Sequence, residues 1–138
     1  MEYDLHNSVL QKVALSITAG AITSTTTTAG AIIDSLGFES LEFIVEAGTL
    51  TDGTYTVLLE DGDDSGLSDA AAVDSELVLG TLPVFAFASD DDAAKRVGTI
   101  TKKRYVRLSI VSTVVTTGGG LSSVAVLSNA HTRPTAAA

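Results

Sequence analysis

The chain has no cysteine. That excludes a disulfide framework, a thiolate nucleophile and a thiolate metal site, and leaves packing and association to hold the fold. Tryptophan is absent, and three tyrosines and four phenylalanines make up the whole aromatic complement. A sugar-binding cleft or a nucleic-acid stacking platform presents several aromatic faces, so both are poorly provided for. Only two histidines are present, His6 and His131, near opposite ends of the sequence. A catalytic imidazole needs a second group to orient it, and neither has an evident partner in the sequence. Eight basic residues stand against 17 acidic ones, a formal charge of −9. Phosphate backbones and anionic lipids repel such a chain, so neither nucleic acid nor a membrane is expected as a partner. No apolar run approaches the length of a membrane span. The first residues, Met1-Glu2-Tyr3-Asp4-Leu5-His6-Asn7, lack the basic and apolar regions of a cleaved signal peptide, so synthesis in the cytoplasm is expected.

What is present is strand-forming material. Apolar residues make up 45% of the 138, enough for a genuine core and too much for a disordered chain. Val9, Gln11, Val13, Leu15 and Ile17 alternate with Leu10, Lys12, Ala14 and Ser16, the pattern of a half-buried strand. Ile22 to Thr28, with four consecutive threonines, reads as an exposed strand ending at Ala29-Gly30, and Ala31 to Asp34 as another short one. Leu41, Phe43 and Val45 point one way and Glu42 and Glu46 the other. After the turn Thr51-Asp52-Gly53-Thr54, the residues Tyr55, Val57 and Leu59 alternate in the same manner, so 39–60 is expected to be a β-hairpin. Leu82 to Ala88, with Pro83, reads as an edge strand or a packed loop. Lys95 to Ile100, Arg104 to Val111 and Leu121 to Leu127 complete about eight strands, with room for one helical turn around Ser68–Val73. The expected class is all-β, a sandwich or a barrel. Residues 1–8 read as an N-terminal arm, 9–128 as the sandwich domain and 129–138 as a C-terminal tail.

Three groups of residues invite a chemical reading. Asp61, Asp63, Ser65 and Asp69, with a glycine at the sixth place, follow the oxygen-ligand spacing of a calcium loop. Ala72 stands where that loop needs a glutamate and no flanking helices are expected, so a polar turn is the preferred reading and a weak calcium site the alternative. The Ser and Thr residues lack a nucleophile elbow, and Gly118–Gly120 lacks the lysine and helix of a phosphate loop. Catalytic residues, cofactors and a firm metal site are therefore not expected. Lastly, Lys95, Arg96, Lys102, Lys103, Arg104 and Arg107 gather most of the basic residues into one short stretch. They read as solubilising charge, or as a patch that docks on an acidic protein surface or on the acidic loops of another copy.

The order of several segments resembles a known family. These are Tyr3-Asp4-Leu5-His6-Asn7, Leu36-Gly-Phe-Glu-Ser-Leu-Glu-Phe43, Thr51-Asp-Gly-Thr-Tyr-Thr56, the Asp63-Asp64 loop, Lys103-Arg-Tyr-Val-Arg107 and Ala125-Val-Leu-Ser-Asn129. Together they resemble the capsid cement (head decoration) proteins of tailed bacteriophages, and they span most of the chain. The resemblance implies a jelly-roll-like β-sandwich on the outer surface of an icosahedral head, bridging capsomers of the major capsid protein. It also implies a small homo-oligomer, a dimer rather than a trimer, and contacts made by terminal arms. Tyr3, Asp4, Leu5, His6, His131 and Arg133, with Lys102, Lys103, Arg104 and Arg107, are the contact candidates that follow. The longer alanine tail and the acidic 60–92 region depart from the family pattern. A carbohydrate-binding or adhesin-type sandwich on a virion, and a head–tail connector or tail component, are the alternatives.

Overall fold

The computed structural model describes residues 5–100 and 102–131. Its strands are β1 (Leu10–Leu15), β2 (Ala21–Ile22), β3 (Thr27–Asp34), β4 (Phe38–Leu50), β5 (Thr54–Gly62), β6 (Ala71–Ala72), β7 (Val78–Leu79), β8 (Val84–Ala86), β9 (Ala94–Thr99), β10 (Tyr105–Thr113) and β11 (Gly119–Ala130). One sheet, here sheet A, has the order β1-β11-β4-β9-β7, with β2 beside β11; sheet B has the order β3-β10-β5-β6, with β8 also on β5. Every pairing is antiparallel, and the pairs nest: β1 with β11, β3 with β10, β4 with β9, and β5 with the broken strand β6/β8. A long antiparallel ribbon folded over so that β11 also meets β4 and β10 also meets β5 is a jelly roll. The expected β-sandwich is therefore the observed fold, with one of its eight principal strands split in two.

The interior is built from the alternation the sequence displays. Leu41, Phe43 and Val45 of β4, Leu121, Ala125 and Leu127 of β11, Tyr55, Val57 and Leu59 of β5, and Val106, Leu108 and Ile110 of β10 are all buried in one core. The buried Tyr55 hydroxyl donates to the Asp52 carbonyl at 2.8 Å, so the phenol's polar end is satisfied.

Four expectations need correction. First, 39–60 is not a hairpin: β4 pairs with β11 and β9, whereas β5 pairs with β10, in the other sheet. Gly53 does take a positive φ of 87°, as an Asp-Gly turn should, but the turn carries the chain across the sandwich. The Asp52 carboxylate accepts from the backbone N–H groups of Thr116 (3.1 Å), Thr117 (2.9 Å) and Gly118 (2.8 Å) and from the Thr116 hydroxyl. Those bonds tie the crossing to the β10–β11 loop. Alternation reveals which side of a strand is buried but not which strand lies beside it.

Second, β1 turns its Val13 outward (61% exposed), and Ile17 beyond it is exposed as well. A register shift between Val13 and Leu15 brings Ala14 and Leu15 into the core together, and Lys12 reaches the Asp34 carbonyl at 3.5 Å. Third, Ala29-Gly30 is no strand end but the middle of β3. A Cβ at Gly30 would lie 2.2 Å from the Ala14 carbonyl oxygen and 2.5 Å from that of Leu108, so the glycine lets β1 and β10 close on β3. Fourth, the helical turn is a 3₁₀ turn at Ser75–Leu77 instead of 68–73, capped by Asp74, whose carboxylate accepts from the Glu76 N–H at 3.1 Å. In addition, β11 runs on to Ala130, into the segment read as tail.

Candidate interaction surface

Antiparallel wrapping brings distant segments to one end of the sandwich. There β3, β5, β9 and β11 finish and β1, β4 and β10 begin, as the pairs Tyr105 with Asp34, Tyr105 with Gly62, Leu10 with Leu127 and Phe38 with Ala130 show. Leu5 and His6, the Lys102–Arg104 connection, the acidic loop after β5 and His131 all gather at this end. Tyr3, Asp4 and Arg133 lie outside the described residues. Exposed Leu5 follows the same clustering, and the Ser8 N–H donates to its carbonyl at 3.1 Å in a short turn. The His131 N–H donates to the Gly37 carbonyl at 2.8 Å, and its imidazole meets the Glu39 carboxylate, both at the surface.

The basic cluster is not an open cationic patch. Arg104 forms a two-pronged bond to Asp34, Nε to Oδ1 and Nη2 to Oδ2, each at 2.8 Å. Those bonds hold the Asp34 carboxyl down from 3.8 to about 2. Arg107, three residues on and within β10 on the outer face of sheet B, reaches Glu60 across the strand pair at 3.2 Å. Lys95 bonds to Asp90 at 3.0 Å and to the Val84 carbonyl at 2.6 Å while lying over the Phe85 ring, and Arg96 stands 3.8 Å from Glu42. The structure thus separates the six cations over both sheets and pairs four of them with acids of the same chain. Lys102 and Lys103 stay at the end itself, where Lys103 acts electrostatically on Asp69.

The calcium-like spacing is used otherwise. Asp69 accepts from the N–H groups of Asp63 (2.9 Å) and Asp64 (3.2 Å), and Asp64 accepts from those of Gly66 (3.0 Å) and Ser68 (3.1 Å). These amide bonds hold both carboxyls below the ordinary carboxylate range and fold the loop on itself. Asp61 is buried at the end of β5, in register with the core residue Val106 and so on the opposite face from a loop ligand. Among the described residues, no group of three or more His, Asp or Glu side chains is placed to hold a metal ion.

Beside this end, an open groove of about 530 Å³ runs over sheet A between Leu5 and Val9 on one side and Leu79 and Ile100 on the other, with Glu42 and Arg96 on its floor. Sequence reasoning missed it and the apolar sheet face it opens from. The signal was available: Phe43-Ile44-Val45 and Val124-Ala125-Val126-Leu127 are apolar at consecutive positions, which a strand with one wet face does not need. Among the described residues no helix is long and apolar enough to cross a membrane. Compared with protein-family models, curated proteins and solved structures, the chain matches none of them.

Proposed function

We propose that this chain is a structural virion protein that binds the exterior of an icosahedral phage head. There it stabilises the shell by bridging capsomers of the major capsid protein, as a small homo-oligomer. The observation that carries the reading is convergence at one end of a jelly roll. Leu5 and His6, His131 and the Lys102–Arg104 connection meet at that end, and the groove opens beside them on sheet A. A rigid sandwich that presents its chain ends together at one end is suited to laying short segments across a neighbouring protein. The ordered segment resemblance to cement proteins gives that neighbour its identity.

Binding of this kind is additive. Each copy adds a modest interface, and many copies placed by symmetry make the shell hard to open. Ordering an arm on docking costs conformational entropy, which burial of Tyr3 and Leu5 would offset. The test is cosedimentation of the purified protein with mature and immature heads of the phage that encodes it. The expected result is saturable binding that prefers the mature lattice and weakens when residues 1–8 are deleted, with the sandwich still folded by circular dichroism. Absence of binding to either head would overturn the proposal.

A further inference from the structure

The outer faces of the two sheets differ in kind. On sheet B the centre is polar: Arg107 pairs with Glu60, and the Ser109 hydroxyl lies 3.4 Å from the same carboxylate. On sheet A the register sets Val13 of β1, Val124 of β11 and Ile44 of β4 side by side, with Arg96 of β9 closing the row. These three aliphatic residues are 61%, 40% and 42% exposed. Val126 extends the patch in the next row, between Gln11 and Glu42, while Ser122 and Glu46 flank it on the other side. An apolar centre inside a polar, charged ring on a face that should alternate to polar is the anatomy of a protein contact.

We infer that this face is a self-complementary interface, on which two copies pack about a two-fold axis with their strands crossing near a right angle. Charge and apolar matching together select this arrangement, since the other crossed axis, which brings Arg96 beside Glu42, sets Val13 against Ser122 and Glu46. Neighbouring strands lie about 4.8 Å apart, and same-face residues on one strand about 6.8 Å apart. Measured from the midpoint between Val124 and Ile44, Arg96 is therefore about 7 Å away across the strands and Glu46 about 7 Å away along them. A two-fold axis in the interface plane, midway between those directions, exchanges across with along. It sets each Arg96 between Ser122 and Glu46 of the second copy, within reach of that carboxylate, and each Val13 between Val126 and Glu42. The two aligned packings fail: an axis parallel to the strands puts Arg96 over Val13, and an axis perpendicular to them puts Glu42 over Glu46. Orthogonal packing of sheets face to face is an ordinary mode, and a two-fold contact buries the same patch on both copies. Arg96 is available for it, since its contact with Glu42 is long and its side chain is 78% exposed.

The inference deepens the homo-oligomer part of the proposed function and does not depend on the viral shell. It is tested by sedimentation equilibrium of the full chain over about 1–100 µM, with circular dichroism to confirm that each variant is folded. The wild type should be a dimer and Ile44→Lys a monomer. Arg96→Glu should weaken association at least about tenfold, and Arg96→Glu combined with Glu46→Arg should recover it. A monomeric wild type, or a dimer that tolerates Ile44→Lys, overturns the interface. A double variant no tighter than Arg96→Glu alone overturns the crossed geometry. A wild-type dimer that ignores heads would sink the capsid reading and leave the interface standing.

Discussion

The same substitution at two buried serines should have opposite effects. Ser123 lies on the inner face of β11, 2% exposed, in register with Leu15 and Val45, and its hydroxyl has no hydrogen-bond partner among the described residues. A buried, unpaired polar group forfeits its hydration for nothing, at about 1–3 kcal/mol. Ser123→Ala removes that penalty and leaves a void no larger than one oxygen, so it should stabilise the fold by about 1 kcal/mol. Ser112, on β10 and 1% exposed, is fully engaged. Its Oγ accepts from the Thr26 N–H at 3.0 Å and lies 2.9 Å from the carbonyl oxygens of Ser24 and Thr26, one of which takes its proton. Ser112→Ala strands those groups and should cost about 2 kcal/mol. Urea denaturation with a shared slope measures both, and the stabilised variant should melt about 3–5 °C higher. If Ser123→Ala loses as much stability as Ser112→Ala, the account of the core at β11 is wrong.

Two further tests concern the opposite end of the sandwich. Val114 is a β-branched residue at φ 55°, 81% exposed, and no packing compensates its left-handed conformation. Val114→Asn should therefore raise stability by about 1 kcal/mol, and an unchanged or lower denaturation midpoint would contradict this. Asp52 is held from 3.8 to about 2, first by the Thr116 hydroxyl and then by the Thr117 N–H. A depressed carboxyl stabilises the fold above its unfolded pKa, and that stability is lost as pH falls through the folded value. The melting temperature should thus be level down to about pH 4 and decline toward pH 2, with Asp34 contributing in the same direction. Asp52→Asn should lie lower at neutral pH and approach the wild type near pH 2. Curves that stay parallel would exclude Asp52 as a source of the acid response.

The buried faces were legible because alternation is a local property. Leu41-Phe43-Val45, Tyr55-Val57-Leu59 and Val106-Leu108-Ile110 could be assigned to the interior from the sequence. Partners were not legible, because pairing in a jelly roll joins β1 to β11 and β3 to β10 across most of the chain. An Asp-Gly turn looks alike whether it closes a hairpin or crosses between sheets; the pairing of β4 with β11 and of β5 with β10 separates the two, and the Asp52 bonds to Thr116–Gly118 fix the crossing. Val13 misled because a bulge at β1 shifts the alternation by one place. The ion pairs of the basic cluster were not legible for a different reason: charge density in sequence carries no record of the acids, such as Asp34 and Glu60, that the fold brings alongside. For Tyr3, Asp4 and Arg133 the sequence is the whole basis of the reading.

If this sandwich strengthens a viral shell from outside, as proposed, DNA retention measures that most directly. Mature heads lacking the protein would be heated with and without saturating amounts of it, and DNA release followed by dye fluorescence. The release temperature should rise when the protein is bound, with less gain for the variant lacking residues 1–8. Saturated heads that release DNA at the same temperature as bare ones would contradict it.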